Sequence, residues 1–409
     1  MSESATHDAI ERVARDSFGR LVAYIASRTG DVGDAQDALS EALVAALEKW
    51  PTNGVPDKPE AWLLHVARNR LIDASRREQT RRDAEPLLQQ LAEESEATTT
   101  ENETFPDERL KLLFVCAHPA IDIAARTPLM LQVVLGIDAE KIASAFLVSP
   151  AAMSQRLVRA KTKIRDAGIP FRVPDPPELS ERFSFVLDAI YAAYTTGWDS
   201  LPDAASTNRA LASEAITLGR VLLQLMPAEP EALGLLALML HCEARREARF
   251  SNTGEFIPLD QQDTARWLGN FIEEAENFLR TARGFARIGH YQLEAAIQSI
   301  HAARAKSGKI DWQEIALLYE GLVRIAPNIG ASVGRAVALA QAGNPSAGLH
   351  ALEALPQSSI VNYQPFWAAR GHLLELLNRK DEANQAFTRA ASLTDDPAVR
   401  DYLFERWDR

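Results

Sequence analysis

The sequence predicts an all-α protein: two small helical modules, the second carrying a helix-turn-helix, joined by an acidic linker and followed by a helical-repeat C-terminal domain. Three observations carry this. Apolar residues recur at spacings of three and four, as at Leu39, Leu43, Leu47 and Trp50 or at Leu63, Ala67, Leu71 and Ala74, and no stretch alternates apolar and polar residues as a strand would. Residues 83–108 hold nine acids and no Lys or Arg, with too few large apolar groups to order themselves by burial. Beyond about residue 180, apolar, Gly and Pro positions recur in the register of stacked helix pairs.

The bulk numbers bound the function. A chain of 409 residues suggests two or three domains, and 46% apolar residues exclude disorder throughout. With 44 Lys+Arg against 56 Asp+Glu the formal charge is −12, which argues against indiscriminate nucleic-acid binding but leaves room for a local basic surface. Cys116 and Cys242 cannot form a disulfide framework, which favours a reducing compartment. The start, MSESATHDAIERVARD, lacks the basic residues and apolar stretch of a signal peptide. Nine residues, Ala232 to Leu240, make the longest apolar run, about half of what a membrane-spanning helix needs. A cytoplasmic protein without a membrane partner is therefore expected.

In chain order, the first module covers 8–82. Its helix through Leu39 and Trp50 is separated from the next by PTNGVPDKP, a turn-rich connection. That next helix ends in RNRLIDASRREQTRR, with six Arg and two acids. Opposite its apolar stripe Trp62, Asn69, Asp73 and Arg76 share a face. An aromatic can replace lost base stacking, amide and guanidinium groups can hydrogen-bond base edges, and Arg68, Arg70 and Arg77 can hold phosphates, so the face suits unpaired bases. Taken alone it reads rather as a solvated Arg-rich helix end with Trp62 in the core.

The acidic linker spans 83–106, and the second module 107–173. There Asp138 is a plausible N-cap for AEKIASAF, LVS makes a short turn, and Ser149-Pro150 supplies a cap followed by proline at the first helical position. Met153, Leu157, Ala160 and Ile164 form the buried face of the second helix. Ala152, Gln155, Arg156, Arg159 and Lys163 point outward, where a major groove would accept them. Gln155 and Arg156 would meet base edges; Arg159, Lys161 and Lys163 would meet phosphates. An ordinary basic helix hairpin is the bland alternative. Pro174, Pro176 and Pro177 then mark a boundary.

The order DAQDALSEALVAALEKW, PEAWLLHVARNRLIDASRRE, an acidic tether and SQRLVRAKTKIRDAGIPF resembles the bacterial extracytoplasmic-function sigma factors of RNA polymerase over residues 8–82 and 107–172. The continuation, with DERLKLLFVCAHPAI and PEALGLLALMLHCEARREARF, looks like the subgroup with a long tetratricopeptide-like (TPR-like) C-terminal extension. The resemblance implies that core RNA polymerase is gripped through Asp34, Asp37, Glu41 and Leu43, although Gln36 and Ser40 depart from the family's usual Glu and Gln. It implies a −10 promoter reader at Asn69, Arg70, Asp73, Arg76 and Arg77 that captures a flipped base. It implies a −35 reader at Ala151, Ala152, Gln155, Arg156 and Arg159. Promoter DNA and polymerase would be the partners, with no covalent chemistry and no cofactor. A helix-turn-helix operator-binding adaptor acting without polymerase, its repeats serving as a protein-binding scaffold, is the competing class; it would need neither the acidic helix nor the Arg-rich one.

The region 180–409 tracks the tetratricopeptide pattern through Trp367, Arg370, Gly371 and Leu374 followed by Ala383, Phe387 and Ala390, with Arg370 and Leu374 departing from the usual Leu and Tyr. Ile315, Tyr319, Leu322 and Pro327 fit half of another repeat, as do Ala215, Gly219, Leu222 and Pro227. Stacked pairs would offer a surface to a protein partner or to the rest of the chain. RFSNTGEFIPLDQQDTARW interrupts the pattern as a long loop or small hairpin. Cys116 with His118, and His241 with Cys242, lack an established zinc-finger spacing and read as buried structural groups. Asn102 in a glycosylation sequon carries no meaning in a bacterial cytosol. No phosphate loop, dinucleotide fingerprint or nucleophile elbow occurs, so an enzyme is not expected.

Overall fold

The computed structural model describes residues 3–79, 106–146, 148–198 and 205–406. The acidic linker lies outside these residues except at Pro106, as does Asn102. Among the described residues the chain is helical, with a single isolated antiparallel bridge between Phe250 and Phe256 and no strand. It divides into two compact units near Gly219.

The first unit contains α1 (Glu3–Thr29), α2 (Val32–Asn53), α3 (Pro59–Gln79), α4 (Arg109–Cys116), α5 (Ile123–Leu135), α6 (Ala139–Ala145), α7 (Pro150–Asp166) and α8 (Pro176–Trp198). Gly30, with φ +72°, breaks the chain between the first two helices, and Asp31 then caps α2 by accepting from the Asp34 amide at 3.0 Å. α2 runs through Pro51 to Asn53, three residues into the expected turn, and stops where Gly54 (φ +84°) donates to the Trp50 carbonyl. Its buried face is Val32, Ala35, Ala38, Leu39, Ala42, Ala45, Ala46 and Trp50. Leu39 and Trp50 of the expected stripe are buried, but small residues bring α1 and α3 close and Leu47 is left 41% exposed.

The helix-turn-helix forms as its caps direct. Asp138 accepts from the Glu140 amide at 2.7 Å and Ser149 from the Ala152 amide at 3.2 Å, with Pro150 opening α7. Met153, Leu157, Ala160 and Ile164 are buried. α8, beyond the proline-rich stretch, belongs with this unit: Arg182 donates to the Phe114 carbonyl at 2.9 Å, Thr127 to the Ala189 carbonyl at 3.0 Å, and the Phe114 and Phe183 rings lie 6.5 Å apart.

α9 (Ala205–Leu225) crosses the division. The second unit continues with α10 (Pro230–Ala244), α11 (Gly269–Arg283), α12 (His290–Ser307), α13 (Trp312–Ile325), α14 (Ile329–Gln341), α15 (Pro345–Glu353), α16 (Gln357–Ile360), α17 (Gln364–Leu376), α18 (Lys380–Ala391) and α19 (Pro397–Glu405). The nine-residue apolar run falls in α10, which is buried on every side, as a helix without a polar face must be. Later helices pack against their chain neighbours at small residues. A Cβ on Gly371 would stand 2.6 Å from the Phe387 ring and one on Gly334 2.4 Å from Tyr319, so α17 meets α18, and α14 meets α13, at distances only glycine permits. The interrupting segment is a compact excursion of short 3-10 turns around the Phe250–Phe256 bridge, tied down by Arg266 donating to the Phe250 carbonyl.

Candidate nucleic-acid interface

α2 presents one acidic edge. Asp34, Asp37 and Glu41 are exposed at spacings of three and four, and Leu43 is half-buried. Across from Glu41 lies α3, whose Arg70 Nε stands 3.3 Å from the Glu41 carboxylate. On α3, Asn69 and Asp73 are exposed and the Asn69 amide nitrogen is 3.0 Å from His65 Nε2. Trp62 is half-buried, packed edge-on to Trp50 with ring centroids 5.4 Å apart, which fixes one side of the ring and leaves part of it at the surface. The side chains of Arg76 and Arg77 lie outside the described residues. Arg68 requires a correction. It is buried and donates to the Tyr24 hydroxyl at 2.8 Å, so it ties α3 to α1 and is not a surface phosphate contact.

On α7, Ala151, Ala152, Gln155, Arg159 and Lys163 are exposed along one side of the helix. Arg159 donates to the Gln155 carbonyl at 3.3 Å, an arrangement that holds its guanidinium along the helix surface. Arg156 is half-buried and donates to the Ala124 carbonyl at 3.4 Å, a long contact that a stronger acceptor could replace. Lys161 is corrected as well: it turns away from the outer face and donates to Gln36 Oε1 of α2 at 2.8 Å. Burial lowers its pKa, against the raising effect of Asp37 and Asp31. Sequence reasoning passed over Arg165 and Asp31, which stand 3.8 Å apart between α7 and α2; the charges were legible, the pairing of distant segments was not.

The second unit holds a groove of about 680 Å³ between α11, α12 and α13. Leu279, Leu293, Ile300 and Leu318 give it an apolar lining, and Arg280 and Arg283 stand on its rim. Burial raises the thiol pKa of Cys116 and of Cys242. Among the described residues no group of three or more His, Cys, Asp or Glu could hold a metal ion, and no helix is long and apolar enough to cross a membrane.

Residues 15–81, which span the acidic edge of α2 and the polar face of α3, match the sigma-70 region 2 family. Residues 182–283 match a family of unknown function, DUF6596. The chain is 39% identical over 391 residues to an uncharacterized protein of Rhizobium meliloti (strain 1021), covering 95% of this chain and 91% of that one. The two proteins belong to one family. The region 2 match supports a sigma-factor-like role in transcription initiation and implies binding to core RNA polymerase and promoter DNA. No solved structure matches the chain.

Proposed function

We propose that the protein is an alternative sigma factor of the extracytoplasmic-function type. In this reading it directs core polymerase to a restricted promoter set, with the −10 element read by α3, the −35 element by α7, and a TPR-like C-terminal domain regulating it. The observation that carries the reading is the pair of exposed polar faces. Asn69 and Asp73 project from a sigma-70 region 2 helix; Ala151, Ala152, Gln155 and Arg159 project from a capped helix of the size a major groove admits. Anchoring two elements through one polymerase makes the second contact intramolecular, and capture of an unstacked base on the α3 face, with Trp62 at its edge, offsets the few kcal/mol lost when that base leaves the duplex. The grip on polymerase falls to Asp34, Asp37, Glu41 and Leu43. The arginine rim and apolar lining of the second-unit groove suit an acidic, apolar peptide as the regulatory partner. The protein then acts in the cytoplasm without a cofactor.

Co-purification with core polymerase tests the reading. Asp37→Arg reverses the charge of an exposed residue and should abolish association while leaving helicity and thermal midpoint unchanged. Undiminished association would remove α2 as the grip, and no association of the wild type would leave an operator-binding adaptor.

A further inference from the structure

Residues 250–262 of the second unit, between α10 and α11, are held as a bound peptide is held. Phe250 is extended (φ −130°, ψ 147°) and Pro258 is in the polyproline conformation (φ −57°, ψ 152°), in which a segment docks with little further ordering. Arg304 of α12, its guanidinium over the Trp267 ring, donates to three backbone carbonyls of the segment: Leu259 at 3.0 Å, Gln262 at 2.8 Å, and Asp260. Every sequence has carbonyls, so this is a grip on extended backbone. Side chains supply the selection. Phe256 packs edge-on against Tyr402 of α19 with ring centroids 5.5 Å apart. Asp260 acts on α17, where burial and Arg406 lower the pKa of His372 and the charges of Glu375 and Asp260 oppose them. α12 packs mainly on α10 and α13, and α19 on α18, so the segment ties together helices far apart in chain order. Phe256, Ile257, Pro258 and Leu259 are nonetheless only half-buried, and Glu255 and Asp260 are exposed. A long irregular stretch in an otherwise helical stack, held at its backbone and left half in water, has the character of a functional loop and not of a core element.

We infer that residues 255–260 (EFIPLD) are an intrinsic occupant of a peptide-binding face formed by α12, α17 and α19, and that the second unit receives a protein partner by exchanging them for an extended segment of the same chemistry: an aromatic anchor, a proline and a following acid. The face is distinct from the groove between α11, α12 and α13, whose lining includes none of Arg304, His372 and Tyr402. It lies wholly within the second unit, and so goes beyond the promoter reading. Tethered at both ends, the segment is presented to its site at an effective concentration on the order of mM, so a free peptide of equal affinity enters only when the segment is released.

Fluorescence anisotropy of a labelled synthetic peptide of residues 250–262 (FSNTGEFIPLDQQ), titrated with the full chain, tests this. Phe256→Ser removes the aromatic anchor and leaves the face untouched; replacing residues 251–261 with a Gly-Ser linker empties the face. Wild type should not bind the peptide at micromolar concentrations. Each variant should bind it at least roughly ten-fold more tightly than wild type, and adding Arg304→Ala to either should lose that gain. A peptide carrying the Phe256→Ser change should bind none of them. Equal binding by wild type and variants would show that the segment does not occupy the site. Failure of both variants to bind at unchanged helicity, or a gain that survives Arg304→Ala, would show that the face is not a peptide site. Loss of helicity in both variants would make the segment a structural part of the fold. Each of these three results overturns the exchange. None of the readouts uses polymerase, so they stand or fall apart from the promoter reading.

Discussion

Arg68 is 8% exposed and donates to the Tyr24 hydroxyl at 2.8 Å, so its charge works inside the first unit. Arg68→Ala should therefore lower stability by about 1–3 kcal/mol, read as a fall in thermal midpoint, because it empties a buried site and removes a charged donor. A residue that served only phosphate would leave the midpoint where it is. Gly371 makes the same kind of demand in the second unit. Gly371→Val forces a branched Cβ into the Phe387 ring and should cost about 1–3 kcal/mol by overpacking, measured by denaturant titration. These two residues mark what sequence discloses at this scale. Gly371 was legible, because glycine inside a helical repeat pattern signals close approach. Arg68 was not, because burial of one arginine among six depends on where Tyr24 arrives from another helix.

At the scale of elements, α7 was readable almost entirely: the Ser149-Pro150 cap and the four buried positions follow from local chemistry and helical period. Ser149→Ala should cost on the order of 1 kcal/mol, checked by equilibrium unfolding, since the Ala152 amide loses its acceptor. Arg156→Ala should weaken initiation chiefly at promoters with an intact −35 element; equal loss on templates lacking one would reject that role. α2 was read less well. Leu39 and Trp50 of the leucine-spaced stripe are buried, but Leu47 is exposed and alanines fill most of the buried face, because close packing of helices selects for small volume and not for hydrophobicity alone. In the second unit burial pushes His241 and His301 down to about 4, with Arg245 adding to both, although Glu276 lies 3.4 Å from His241. Each is neutral in the fold and would charge on unfolding, so its contribution is whole above pH 6.5 and is lost as pH falls toward 4. Glu294, raised to about 7 by burial and by Glu231, runs the other way: its contribution fades as pH rises from 4.5 to 7. Two histidines outweigh one carboxyl. The thermal midpoint should fall between pH 6.5 and pH 5, corresponding to a net loss on the order of 2 kcal/mol, and His301→Leu should reduce that fall.

For the whole molecule, the helical class was legible in periodicity, while the division into units was not. The prolines at 174, 176 and 177 suggested a boundary near residue 180, yet α8 stays with the first unit because Phe183 and Arg182 find their partners on α4, a pairing that local pattern cannot reveal. The same non-local packing brings α7 onto α2 through Lys161 and Gln36. In the proposed reading the protein binds and positions, and reads promoter DNA when docked on polymerase. Run-off transcription with core polymerase, the purified chain and fragments of its own genome examines that claim most directly. Discrete transcripts from a small set of start sites, absent with core polymerase alone and lost with Asp37→Arg, are the predicted result; the absence of any transcript dependent on this chain would contradict it.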